Sequence, residues 1–228
     1  PGMLTGPNGL PLREAAADYP LRLDPDGIVV DDSGPDGTSP HQDDIVRRVR
    51  EVLELLWGER AEAIEKEACE VLGVKDLREY FHNPGGFFED HIARYSKSRR
   101  KAPIYWLLQS SRRSFALWLY YHRLDKDTLF KALQHYVEPK VRGEMARLRE
   151  LTNQLESGKD TLPRREVTRL EKAIDRQQDL LTELNTFKEA LLAVVDIGYE
   201  PDLDDGVVLN IALLHEVADA LVRVAVHD

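Results

Sequence analysis

The chain has 228 residues, a net charge of −10, and side chains that are 42% apolar and 32% charged. That length supports a packed domain, while the acidic balance disfavours a freestanding domain that grips nucleic acid over its whole surface. One cysteine, Cys69, excludes an internal disulfide and fits a cytoplasmic compartment, and no apolar run approaches the ~20 residues of a membrane span.

Residues 1–40 are broken by seven prolines and six glycines, and read as a Pro/Gly-rich leading segment or linker. Within it Gly27-Ile28-Val29-Val30 has the composition of a short strand. Ser39-Pro40-His41-Gln42 offers a capping box, with proline at the first helical position. Ile45, Val49, Val52, Leu53 and Leu56 follow at helical spacing, and Gly58 ends that helix. A second helix is expected over 59–72, with Ala61, Ile64, Ala68, Val71 and Leu72 as its apolar face and Gly73 as its C-cap. A short helical piece over 76–81 stops at Asn83-Pro84-Gly85-Gly86. Another starts near Phe87 and carries Phe88, Ile92 and Tyr95 inward.

Segments 104–109 and 115–121 are aromatic and branched, and 110–114 separates them. This predicts a β-hairpin whose two faces are both covered; the rival reading is a buried helix over 115–123. From Asp127 the pattern is helical again. Pro139 should kink the helix, 157–160 should break it, and Pro163 should restart it. Val167, Leu170, Ile174, Gln177, Leu181, Leu184, Lys188, Leu191 and Val195 then alternate spacings of three and four, a heptad seam. The expected architecture is mainly α with a small β component: a compact helical body with a β-hairpin and a long antiparallel coiled-coil helical hairpin. In chain order it divides into the leading segment 1–40, a helical body with a basic hairpin over 41–126, a projecting helical hairpin over 127–197, and 198–228. The last segment is read as an acidic turn at 202–206, a strand over 207–211 and a helix over 212–222 that pack back on the body.

No catalytic constellation emerges. The acidic turn departs from a calcium loop, which needs glycine at its sixth position and glutamate at its twelfth, because Val207 and Leu213 stand there. Cys69 sits mid-helix and reads as a buried, inert thiol. Ser110 and Ser111 lack a glycine-flanked elbow. Asn83-Pro84-Gly85-Gly86-Phe87 differs from the Asn-Pro-Pro-aromatic motif of adenine methyltransferases, in which an aromatic stacks on the flipped base, and is read as a helix-terminating loop. His91, His122 and His135 are read as packed or surface side chains. Catalytic, cofactor-binding and metal-binding residues are therefore expected to be none.

One constellation carries chemistry. Arg94, Lys97, Arg99, Arg100 and Lys101 fall within eight residues, Arg112 and Arg113 occupy the hairpin tip, and Tyr95, Tyr105 and Trp106 interleave. Such a cluster can neutralise phosphates or fork onto base edges. The competing reading is a solvated charge run paired with Glu89, Asp90 and the acidic helices.

The stretch Phe87-Phe88-Glu89-Asp90-His91-Ile92-Ala93-Arg94-Tyr95-Ser96-Lys97-Ser98-Arg99-Arg100-Lys101-Ala102-Pro103-Ile104-Tyr105-Trp106 resembles a block in the C-terminal half of large adenine-specific DNA methyltransferases of bacterial phage defence, of the BREX and DISARM kind. Trp118-Leu119-Tyr120-Tyr121-His122-Arg123, Lys126-Asp127-Thr128-Leu129, Tyr136-Val137-Glu138-Pro139-Lys140 and Pro201-Asp202-Leu203-Asp204-Asp205-Gly206-Val207-Val208-Leu209-Asn210 continue it. The resemblance covers roughly residues 43–215. It implies a parent enzyme that transfers a methyl group from S-adenosylmethionine to adenine N6, with the cofactor held in a separate N-terminal methylase domain. It also implies a non-catalytic module here, contributing contact to double-stranded DNA or target recognition. The alternative is docking to another subunit of the defence complex through the helical hairpin and the acidic surface.

Overall fold

The computed structural model describes residues 28–31, 41, 43–83, 85–95, 104–158, 161–203, 210, 212 and 222–225. Period-two alternation along the aromatic middle of the chain sends successive side chains to opposite faces, and both faces are apolar. The strands are β1 (Ile28–Asp31), β2 (Tyr105–Gln109), β3 (Phe115–Tyr120) and β4 (Val222–Ala225). They form one antiparallel sheet in the order β1-β3-β2-β4. The hairpin reading holds: Tyr105 faces Tyr120, and Gln109 faces Ala116. Helix is confined to one 3-10 turn after β3, Tyr121–Arg123.

Trp106, Leu108, Phe115, Leu117, Leu119 and Val29 point into one core, and Leu107, Ala116, Trp118 and Val30 into the other. Helices cover both faces, so the sheet is the middle of three layers, as two apolar faces require. The second core is closed by α1 (Ile45–Trp57), α2 (Ala61–Leu72), α3 (Leu77–His82) and α4 (Phe87–Tyr95). Phe88 stacks on Trp118 with ring centroids 3.8 Å apart.

Local chemistry sets most of the helix ends. Gly73 adopts φ 70°, the left-handed conformation in which glycine has no Cβ to clash, and its N–H returns to the carbonyls of Cys69 and Glu70. Two details differ from expectation. The first helix starts at Ile45 rather than after Ser39, because the Asp44 carboxylate accepts from the Arg47 N–H 2.9 Å away and is the N-cap. On α2 it is Cys69 that is buried, while Val71 is 82% exposed. The helix turns its Ala61–Cys69 side inward, and its last turn runs past the edge of the core.

The first core face is closed by α5 (Thr128–Ala132), a π-helical turn (Leu133–Val137), α6 (Glu138–Gly158) and α7 (Arg164–Asp196). Pro139 lacks an N–H and its ring crowds the carbonyl four residues back. The chain accommodates it by widening the preceding turn, where the Glu138 N–H reaches back to the Leu133 carbonyl. The break at 157–160 and the restart at Pro163 separate α6 from α7 as expected. The seam does not stay a strict heptad. Leu180, Leu181, Leu184, Phe187, Leu191 and Val194 are buried, whereas Lys188 leaves the core and pairs with Glu138 at 3.5 Å. The C-terminal half of α7 thus lies on the sheet with a broad apolar face, while its N-terminal half runs alongside α6, as the bond from Gln177 to the Glu144 carbonyl shows.

A buried polar network locks this helix pair to the opposite layer. Lys140 Nζ lies 2.7 Å from an Asp31 carboxylate oxygen and 2.5 Å from Glu144 Oε1, all three side chains at most 5% exposed. Asp31 also accepts from the His41 N–H at 2.6 Å, and its own N–H donates to Asp44 Oδ1 at 2.8 Å. Gln177 on α7 donates to the Glu144 carbonyl at 3.1 Å and to its carboxylate. Losing one member would strand a charge in a dry interior, which costs about 3–5 kcal/mol.

The C-terminal segment also differs in detail. The expected strand over 207–211 and helix over 212–222 lie largely outside the described residues, but Asn210 is helical and Val222 opens β4. Asn210 is buried; its side chain accepts from the Asp202 N–H at 2.9 Å and donates to the Asp202 carbonyl at 2.6 Å and the Tyr121 hydroxyl at 3.0 Å. It ties Asp202 to Tyr121, the residue that follows β3.

Candidate nucleic-acid interface

The hairpin tip is built around one acidic side chain from a distant helix. Glu183 on α7 is 6% exposed. Its carboxylate accepts from the Ser110 hydroxyl at 2.5 Å, the Arg112 N–H at 2.9 Å, the Ser114 N–H at 3.3 Å and the Ser114 hydroxyl at 2.7 Å. Four donors on one carboxylate satisfy a turn that would otherwise expose its backbone amides, and bonds to an ionised acceptor are the stronger kind. The turn closes through the Arg113 N–H on the Ser110 carbonyl at 2.9 Å.

Held this way, the turn presents both of its arginines to solvent. Arg113 adopts φ 65°, a left-handed conformation that a side chain other than glycine or asparagine enters at a cost. Arg112 pairs with Asp179 at 3.7 Å, but the two are 67% and 72% exposed, so water screens the pair and it holds little of the charge.

The expected cluster is divided. Arg94 is exposed in the last turn of α4. That helix packs its Phe88 and His91 against Tyr105, with the Tyr105 hydroxyl 3.1 Å from His91 Nε2. Arg94 therefore belongs to the Tyr105 end of the hairpin, whereas Arg112 and Arg113 sit at the other end, about 16 Å away along β2. Lys97, Arg99, Arg100 and Lys101 lie outside the described residues. Of the interleaved aromatics, Trp106 is fully buried and offers no face to a base. Tyr105 is half-buried, and burial raises its hydroxyl pKa.

Around α4 the titrating groups are shaped by burial. The half-buried Tyr80 donates its hydroxyl to Asp90 at 2.8 Å, and partial desolvation together with that carboxylate pushes the hydroxyl up to about 12. His91, stacked on Phe87, is lowered by burial and stays neutral near pH 7. The Cys69 thiol is raised by burial. The loop after α3 closes on itself: Asn83 Oδ1 accepts from the Gly85 N–H at 3.1 Å, and the Gly86 N–H donates to the Asn83 carbonyl at 2.9 Å. A Cβ on Gly86 would collide with the Tyr80 carbonyl, so the glycine there serves a close backbone approach. Asn83 is thus engaged in its own loop and does not fit a group that holds a nucleoside or adenine.

Sequence reasoning missed Glu183. The available signal was an acid between Leu181 and Leu184, one step off the apolar seam, opposite a serine-flanked turn that needed an acceptor.

No protein-family model matches the chain. Among curated proteins, it is 29% identical to the adenine-specific methyltransferase BrxX of Escherichia coli O9:H4 (strain HS), over 74% of this chain and 14% of that protein. It is also 29% identical to the adenine-specific methyltransferase PglX of Lacticaseibacillus casei (strain Zhang), over 73% of this chain and 14% of that protein. A three-layer fold that carries an exposed, clamped pair of arginines is thus similar in sequence to one stretch, 14% of the length, of the adenine-specific methyltransferases BrxX and PglX.

Proposed function

We propose that this chain is a non-catalytic, C-terminal module of a phage-defence adenine methyltransferase, and that it contacts double-stranded DNA near the target. The observation that supports this most is the Glu183 clamp. A buried carboxylate with four donors is spent on holding Arg112 and Arg113 outward, one of them in a strained conformation. Structural stability alone gives no reason for two adjacent arginines at that tip. An anionic ligand does, and the relatives carry adenine methyltransferase names. Arg94, Lys97, Arg99, Arg100 and Lys101 extend the same chemistry from the chain segment before β2.

The test is charge reversal in the full chain. Arg99→Glu, Arg100→Glu and Arg113→Glu together should weaken duplex binding more than tenfold at low salt. The salt slope should fall by about 0.9 for each phosphate that the variant no longer neutralises. Unchanged affinity and slope in a folded triple variant would move the assignment to protein docking through the helical hairpin. The module should also leave S-adenosylmethionine unbound; calorimetric binding tighter than about 100 μM, roughly −5.5 kcal/mol, would make it an enzyme in its own right.

A further inference from the structure

Arg165, Arg169, Lys172 and Arg176 on α7 are all exposed, and none forms an ion pair among the described residues. Their spacings of four, three and four residues place them within an arc of about 60° on one face of the helix. Each neighbour in the row is a like charge three or four residues away, which destabilises a helix. Arg165, with Arg164 beside it, also sits in the first turn, where the helix dipole disfavours cations. The row repels itself, and Glu166, Asp175 and Asp179, each three residues from one of its members, offset part of that repulsion.

Asp179 and Glu183 continue the same face of α7 toward the sheet. These are the residues that hold Arg112 and clamp the hairpin turn. The hairpin arginines are thereby set in line with the helix row. The line from Arg165 to Glu183 is about 27 Å long at 1.5 Å per residue, about eight base pairs of duplex at 3.4 Å each.

We infer that this face of α7 is a track for the sugar–phosphate backbone of duplex DNA, continuous with the turn that bears Arg112 and Arg113; this rests on the DNA reading above. Two observations select the occupant. No aromatic residue lies between positions 164 and 179, so the face lacks the stacking platforms by which proteins hold single strands. None of the large exposed apolar side chains falls in that stretch either, so the face lacks the apolar centre of a protein interface. A polyanion of fixed shape relieves the repulsion within the row.

The experiment is fluorescence anisotropy of the full chain with a labelled duplex across a salt series, comparing wild type with Arg165→Glu/Arg169→Glu/Arg176→Glu. The expected result is affinity reduced more than tenfold at low salt and a slope shallower by about 2.7, three phosphates at about 0.9 each. The corresponding triple lysine variant should bind within about threefold of wild type, and helical circular dichroism should be equal in all three. A folded glutamate variant that binds as wild type does, while Arg112→Glu/Arg113→Glu fails to bind, overturns the track and leaves the hairpin reading standing. Wild type that binds no duplex but binds polyglutamate overturns both, in favour of an acidic protein partner.

Discussion

At the scale of single residues, Glu183 and His41 decide the most. Replacing Glu183 by alanine leaves two hydroxyls and two backbone amides without their shared acceptor, so it should destabilise the chain by about 2–4 kcal/mol in urea unfolding. The same variant should broaden amide exchange in the 110–114 turn before any other segment; an unaltered exchange pattern there would rule out the clamp. His41 is buried between Phe115 and Tyr136, and its Nδ1 accepts from the Asp43 N–H at 3.0 Å, which requires the neutral ring. Burial lowers its pKa below the ordinary 6.5. The unfolded chain therefore takes up this proton first, and the stabilising contribution, full above pH 6.5, is lost as pH falls through the folded value. His91 shifts in the same direction. His41→Asn keeps an acceptor for the Asp43 N–H and should flatten the decline in stability from pH 7.5 to 5.5; parallel declines in the two proteins would contradict the assignment. Neither residue was legible in the sequence as a structural hinge. A histidine in a proline-rich stretch and a glutamate beside a leucine seam acquire their roles only from partners some 70 positions away or across a layer.

Among the elements, the hairpin and the long helices were readable because their signals are local. Alternating apolar residues, a serine-rich turn, a glycine C-cap and a proline at a helix start each act within a few residues. What escaped was set by tertiary packing. The seam of α7 widens where the helix meets the sheet, so Phe187 and Val194 are buried while Lys188 turns out to Glu138. The π-turn before Pro139 is a response to a ring that the periodicity alone treats as a kink. This division of α7 has an energetic consequence. Leu184 is fully buried against the sheet, and Leu184→Ala should cost about 2–5 kcal/mol. Leu170, half-buried in the outer part of the pair, should cost only about 1 kcal/mol when truncated. Equal losses in thermal or urea unfolding would mean that α7 packs uniformly along its length.

For the whole molecule, the sheet takes strands from positions 28–31, 105–120 and 222–225, and the helix pair is keyed into it by Asp31, Lys140, Glu144 and Gln177. Such long-range closure gives no local signal. The strand at 222–225 was not legible, and the row of Arg165, Arg169, Lys172 and Arg176 on α7 was passed over because a charged helix face normally means solvent. Together the layers make a base from which the hairpin tip and the outer part of α7 expose arginine and lysine side chains on a chain that is acidic overall. The claim that this charge meets duplex DNA is most directly tested by photocrosslinking from single benzoylphenylalanine substitutions in the full chain. Position 113 should crosslink to a labelled duplex in a salt-sensitive manner, while position 71, exposed on α2 at the far layer, should not. Equal crosslinking from both positions, or none from 113 under conditions where the duplex is bound, would contradict the DNA assignment.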